Sequence, residues 1–210
     1  MRLEAESVWF SYGRQTVLSG VSLSLEQGER VGLWAPSGQG KTTLCRLLAG
    51  YERPQKGRVL LEGKPLSAYG APCPVQMVWQ HPETVVDPLL PLGKTLAEAA
   101  PPDPRLLEAL HIQEGWLSRF PSELSGGELQ RFCLARALHP AVRFLLCDEI
   151  TAMLDLVTQA QMWDFLLQEA ETRQLGLLIV SHSRPLLERV CTRVVSLEST
   201  VGGEKPRYKR

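Results

Sequence analysis

The stretch WAPSGQGKTT at positions 34–43 constrains this chain more than any other. Before it runs RVGLW (30–34), apolar and strand-like; after the loop runs KTTLCRLLAG (41–50), which has helical spacing and closes on Gly50. A glycine-rich turn between strand and helix, ending in Gly-Lys-Thr, follows the pattern G-x-x-x-x-G-K-[ST] of loops whose backbone N–H groups cradle phosphates. Within Ser37, Gly38, Gln39, Gly40, Lys41, Thr42 and Thr43, the two glycines let the main chain approach phosphate oxygens without a Cβ in the way. Lys41 reaches the terminal phosphates, and the Thr42 hydroxyl is a ligand for a divalent cation. Ala35 stands where the pattern has its first glycine. Its methyl is tolerable at negative φ, whereas a left-handed backbone there would cost on the order of 1 kcal/mol or more.

Around this loop the chain alternates strand-like and helix-like runs. VLSGVSLSL (17–25) alternates as a half-buried strand does, RVLLEG and VQMVWQ are further short strands, and VRFLLC (142–147) and LGLLIV (175–180) are buried strands separated by helix-like 157–173. This βαβ order predicts an α/β domain with a mainly parallel sheet, a core of 1–81 and 139–210, and an inserted helical segment at 82–138 that is proline-rich at its start. The 210 residues, 44% hydrophobic, suffice for one domain. Lys plus Arg and Asp plus Glu each number 23, which gives no basic footprint for nucleic acid; Lys205, Arg207, Lys209 and Arg210 read as a solvated tail. Five scattered cysteines form no C-x-x-C pair, so they are expected to be small buried hydrophobes rather than zinc ligands or disulfides. With neither an apolar run of bilayer length nor a leader pattern, the expectation is a cytoplasmic protein without a membrane span of its own.

Three further motifs carry chemistry. In RFLLCDEITAMLD (143–155) an apolar strand delivers Asp148 and Glu149 to the carboxyl edge of the sheet, where phosphates and a cation would lie. In LSGGELQR (124–131), Ser125 and Glu128 have capping-box spacing, and Gly126 and Gly127 open a helix whose N-terminus suits an anion. His182 follows the strand LIV. Together they resemble the ATP-binding cassette (ABC) ATPases, with LSGGE as the signature motif. In the same order, Tyr12 resembles the adenine-stacking aromatic, Gln80 the Q-loop glutamine, Asp155 the D-loop aspartate and His182 the switch histidine. Each also has a structural reading: Tyr12 with Trp9 and Phe10 as an aromatic edge, Gln80 as a strand end, His182 as an ordinary hydrogen-bonded histidine.

The resemblance implies an N-terminal antiparallel β part beside the mainly parallel sheet, ATP and Mg²⁺ as ligands, and two cassettes packed head to tail. Lys41 and the loop would hold this chain's nucleotide, with Thr42, Gln80 and Asp148 around the metal, Asp148 through water. Glu149 would be the general base and His182 the γ-phosphate partner. Asp155 would organise the seam, and Ser125, Gly126, Gly127 and Glu128 would serve the partner's ATP. Two departures limit this reading: Ala35, and Ile150 in place of the usual proline after the catalytic glutamate, which would loosen the acid. VWQHPETVVDPLLPLGKTLAEA and the T-Q-A-Q after the D-loop resemble the peptide and nickel importer branch. That implies a second, non-identical ATPase, two transmembrane permeases, an extracytoplasmic substrate-binding protein and the cytoplasmic face of the membrane. Two other readings stay open: a cassette acting on nucleic acid or ribosomes, and a nucleotide-binding regulator without turnover.

Overall fold

The computed structural model describes residues 1–98, 101 and 103–197. Two sheets form the frame. An antiparallel sheet has the order β2-β1-β4-β5, from β1 (Arg2–Tyr12), β2 (Gln15–Glu26), β4 (Lys56–Leu61) and β5 (Lys64–Pro65). A parallel sheet has the order β6-β7-β8-β3-β9, from β3 (Arg30–Trp34), β6 (Val75–Val78), β7 (Phe144–Asp148), β8 (Gly176–Val180) and β9 (Arg193–Ser196). The basic tail anticipated from the sequence lies outside the described residues.

The unbroken apolar strands follow from burial on both faces. In β7, Leu145 and Cys147 enter one core while Phe144 and Leu146 enter the other; in β8, Leu177 and Ile179 alternate with Leu178 and Val180 in the same way. One core lies against α4 (Gly126–Ala137) and α5 (Leu156–Arg173). The other lies between the sheets, filled by α1 (Lys41–Leu48) and the inner faces of β1 and β2. Short helices α2 (Leu92–Ala97) and α3 (Pro104–Ala109) lead into α4, so the amphipathic stretch expected between 82 and 138 is interrupted by turns. Its prolines explain this: Pro82, Pro104 and Pro121 each open a short helical turn, the position where a missing N–H costs nothing. Helix α6 (Arg184–Val190) returns the chain to β9.

Parallel strands put their carboxyl ends on one edge. The register sets Leu33 beside Val180, Val180 beside Asp148, and Val78 beside Cys147. The phosphate-type loop, His182, Glu149 and Gln80 therefore leave the sheet side by side, in the crevice where open α/β sheets bind ligands. Several strand boundaries differ from the sequence reading, and one of them bears on the site. Strand β6 ends at Val78 rather than at Gln80, because its ladder with β7 stops at the Val78–Cys147 pair.

Candidate functional site

Gly38 and Gly40 both adopt left-handed backbones, with φ of 77° and 88°. A Cβ on Gly40 would come within 2.9 Å of Val17 and Leu18, so β2 backs the loop and only glycine fits that turn. Helix α1 then begins at Lys41 with no acidic residue in its first turn and no side-chain cap, leaving N–H groups and the positive end of the dipole for an anion. Ser37 and Gly38 are exposed, and Gln39 is half-buried. Ala35 is 1% exposed and its φ lies outside the left-handed region, so its methyl sits in the core without strain.

Lys41 is buried beneath the loop, its Nζ donating to Ala35 O at 2.7 Å and Pro36 O at 3.0 Å. Burial draws its pKa down, opposed by the charges of Glu149 and Asp148. Burial pushes Asp148 up, opposed by a hydrogen bond to Thr42 and by the charge of Lys41. Asp148 Oδ1 is buried with no hydrogen-bond partner. An orphaned carboxylate oxygen beside a threonine hydroxyl is a hard-oxygen donor set suited to a divalent cation such as Mg²⁺. Thr43 is buried under the same helix turn.

Glu149 occupies a left-handed backbone, φ 51°, and its N–H extends the ladder to Val180 O at 3.1 Å. Such strain at a non-glycine residue persists only where the surroundings fix it. Here Asp148 (2% exposed) and Ile150 (3%) clamp it from both sides. The loosening expected from Ile150 is therefore offset by its burial in the core beside α4 and α5. Thr151, which the sequence reading passed over, completes the clamp: buried, its Oγ1 accepts from Gln159 Nε2 at 2.8 Å and Trp163 Nε1 at 3.3 Å. The available signal was a polar residue 8 and 12 positions before two α5 side chains that are four apart and so share a helix face. His182 Nε2 lies 2.6 Å from Glu149 Oε1.

Tyr12 ends β1, 45% exposed, edge-on to Phe10 and accepting from Arg46 Nη1 at 3.4 Å; Arg46 belongs to α1, so the tyrosine is linked to the phosphate-loop helix. Gln80 is half-buried just past β6. The signature segment stands apart. Ser125 Oγ accepts from Glu128 N at 3.3 Å, and Glu128 Oε2 accepts from Ser125 N and Oγ at 2.7 Å each. Ser125 and Gly126 are exposed, Gly127 is half-buried, and among the described residues no hydrogen bond or ion pair joins this segment to the phosphate-type loop. Asp155 is exposed and caps α5 by accepting from Val157 N and Thr158 N at 3.0 Å.

A glycine loop over an uncapped helix, with two acids and a histidine at the same sheet edge, defines a nucleotide-binding α/β domain of the phosphate-loop class. The sequence profile described as "ABC transporter" matches residues 18–152, and the chain belongs to that family as one of its ATP-binding, ATP-hydrolysing cassettes. The nickel import ATP-binding protein NikE of Rhodospirillum rubrum is 37% identical over 206 residues, covering 88% of this chain and 73% of that protein. The methionine import ATP-binding protein MetN of Caulobacter vibrioides is 36% identical, over 90% of this chain and 61% of its own length. A dimeric ATP-binding cassette solved in a post-hydrolysis state with ADP and Pi shares the fold at a TM-score of 0.80 and 21% identity, with 98% of this chain and 99% of that one covered. No helix among the described residues is long and apolar enough to cross a membrane.

Proposed function

We propose that the chain is the energy-coupling ATPase of an ABC importer whose cargo is nickel, a peptide or a metal-chelator complex. The observation that carries the ATPase mechanism is the convergence of Lys41, Thr42, Asp148, Glu149 and His182 at one edge of the parallel sheet. The importer branch is supported by likeness to NikE and MetN, which are named for nickel and methionine import.

In this reading the loop N–H groups and Lys41 hold the β- and γ-phosphates, Lys41 exchanging its contacts with Ala35 O and Pro36 O for phosphate oxygens. Tyr12 stacks on adenine. Thr42, Asp148 and Gln80 would hold Mg²⁺, Asp148 through water, and when bound the cation would neutralise charge on the phosphates. Glu149 accepts the proton of the attacking water, His182 orients that acid and donates toward the γ-phosphate, and Gln80 positions the water. Ser125, Gly126, Gly127 and Glu128 act on nucleotide held by a second ATPase, with Asp155 at the seam. The partners are a non-identical cassette, two permease subunits and an extracytoplasmic binding protein, at the cytoplasmic face of the membrane. The balanced charge of the chain gives nucleic acid no footprint.

The test is reconstitution in proteoliposomes with its permease subunits and a second cassette. ATP-dependent uptake of Ni²⁺, of a chelated metal or of an oligopeptide supports the reading. ATP binding without phosphate release by the assembled complex would instead make the chain a regulatory subunit.

A further inference from the structure

Three side chains of α4 reach across to three backbone carbonyls of the segment that follows β6. Gln130 Nε2 donates to Trp79 O at 3.0 Å, Cys133 Sγ to Pro82 O at 3.9 Å, and Arg136 Nη2 to Val85 O at 2.8 Å. Donors and acceptors both advance by three residues, and every rung spans 51 positions in the chain. The helix and the segment therefore run side by side in fixed register.

The sizes of the three side chains fit that geometry. An α-helix rises about 1.5 Å per residue and a 3-10 turn, which the segment forms at Pro82–Thr84, about 2.0 Å, so the rungs must splay away from the middle. The middle donor is the short Cys133, and the outer two are the long Gln130 and Arg136. Burial pushes the Cys133 thiol to about 11, which keeps it protonated as a donor at neutral pH. Gln130 is 3% exposed, and this carbonyl satisfies its buried amide.

The acceptor of the first rung matters most. Trp79 O belongs to the peptide bond that joins Trp79 to Gln80, and β6 has already ended at Val78. Among the described residues no strand pairing extends beyond Val78, and the plane of that peptide is held from α4. The Trp79 side chain is gripped separately, under the Arg46 guanidinium at 5.0 Å and edge-on to Tyr51 at 5.2 Å.

We propose that α4 and residues 79–85 form one rigid unit, and that Gln130 is a positioning residue for Gln80. The proposal rests on the role given to Gln80 above. Its consequence is that the helix beginning at Ser125 cannot shift without carrying the Gln80 peptide with it. The signature segment and the Gln80 side chain are thereby linked within a single chain.

The experiment uses the full chain, assembled with its second cassette and permeases for the kinetic measurements, as wild type, Gln130→Met, Gln80→Ala and the double variant. Methionine keeps the volume and removes the donor. Hydrogen exchange at the Thr84 and Val85 amides should accelerate at least tenfold in Gln130→Met, with α1 unchanged. ATP affinity should stay within about threefold, kcat should fall about tenfold or more, and the double variant should be no slower than Gln80→Ala alone. Should Gln130→Met fail to fold, Arg136→Met at the half-exposed outer rung gives the same exchange and cycle measurements. Unchanged exchange, or losses that multiply in the double variant, would overturn the positioning role. Full turnover by Gln80→Ala would overturn the role of Gln80 itself and the proposal with it.

Discussion

His182 Nε2 and Glu149 Oε1 meet at 2.6 Å, joining the residue that turns out of β7 to the one that leaves the neighbouring strand β8. The contact fixes where the carboxylate points. Glu149→Gln preserves shape and an acceptor for His182 but cannot take a proton. Steady-state phosphate release should fall by roughly 10²- to 10⁴-fold while equilibrium ATP binding survives. Undiminished release in the assembled complex would remove Glu149 from the chemistry.

Ala35→Gly tests whether the departure at the head of the loop impairs the site. The methyl is buried and unstrained, so its loss should lower the melting temperature, with about 0.8 kcal/mol of burial removed and added unfolded-chain entropy in the same direction. ATP affinity should change by less than about tenfold, equivalent to about 1.4 kcal/mol. A gain approaching a hundredfold, read by calorimetry, would show that the native loop is distorted.

Ser125 separates a cap from a function in trans. Ser125→Ala and Ser125→Arg both lose the bond to Glu128 N, and each should cost about 1 kcal/mol in urea unfolding. Only the arginine, a long cation where close backbone approach is required, should block turnover at the partner's site and ATP-dependent association. Binding of ATP to this chain's own Lys41 should persist in both. Equal partner-site turnover in the two variants would mean that the segment does not act across an interface.

Glu128 gives a pH signature. The Ser125 N–H, followed by its hydroxyl, holds the Glu128 carboxyl below its ordinary range. A depressed carboxylate stabilises the fold above its unfolded value, about 4.3, and that stability is lost as pH falls through the folded value. Glu128→Gln keeps an acceptor without the charge. The wild type should therefore exceed it in urea midpoint near neutrality, and the gap should close as pH drops below about 4.3. A gap that widened on acidification would contradict the assignment.

The parallel strands were legible because burial on both faces leaves long apolar runs such as FLLC and LLIV. The glycine loop was legible because its chemistry is local. What escaped depended on distant partners. The end of β6 is set by its register with β7, so Trp79 and Gln80 read as strand although the ladder stops at Val78. Strand β9 is short and pairs with β3, more than 150 residues earlier, by a route no local pattern announces. Thr151 and Gln130 are ordinary polar residues in the sequence; their weight comes from acceptors and donors that folding brings to them.

The left-handed backbone at position 149 sets stability against chemistry at a single residue. An L side chain there carries a penalty of about 1 kcal/mol or more that glycine escapes and asparagine eases. A variant library of this chain sorted for heat resistance alone should thus enrich Gly or Asn at 149, discarding the carboxylate as it gains robustness. In the mechanism proposed above, the glutamate at that position gives up firmness of fold for a proton acceptor.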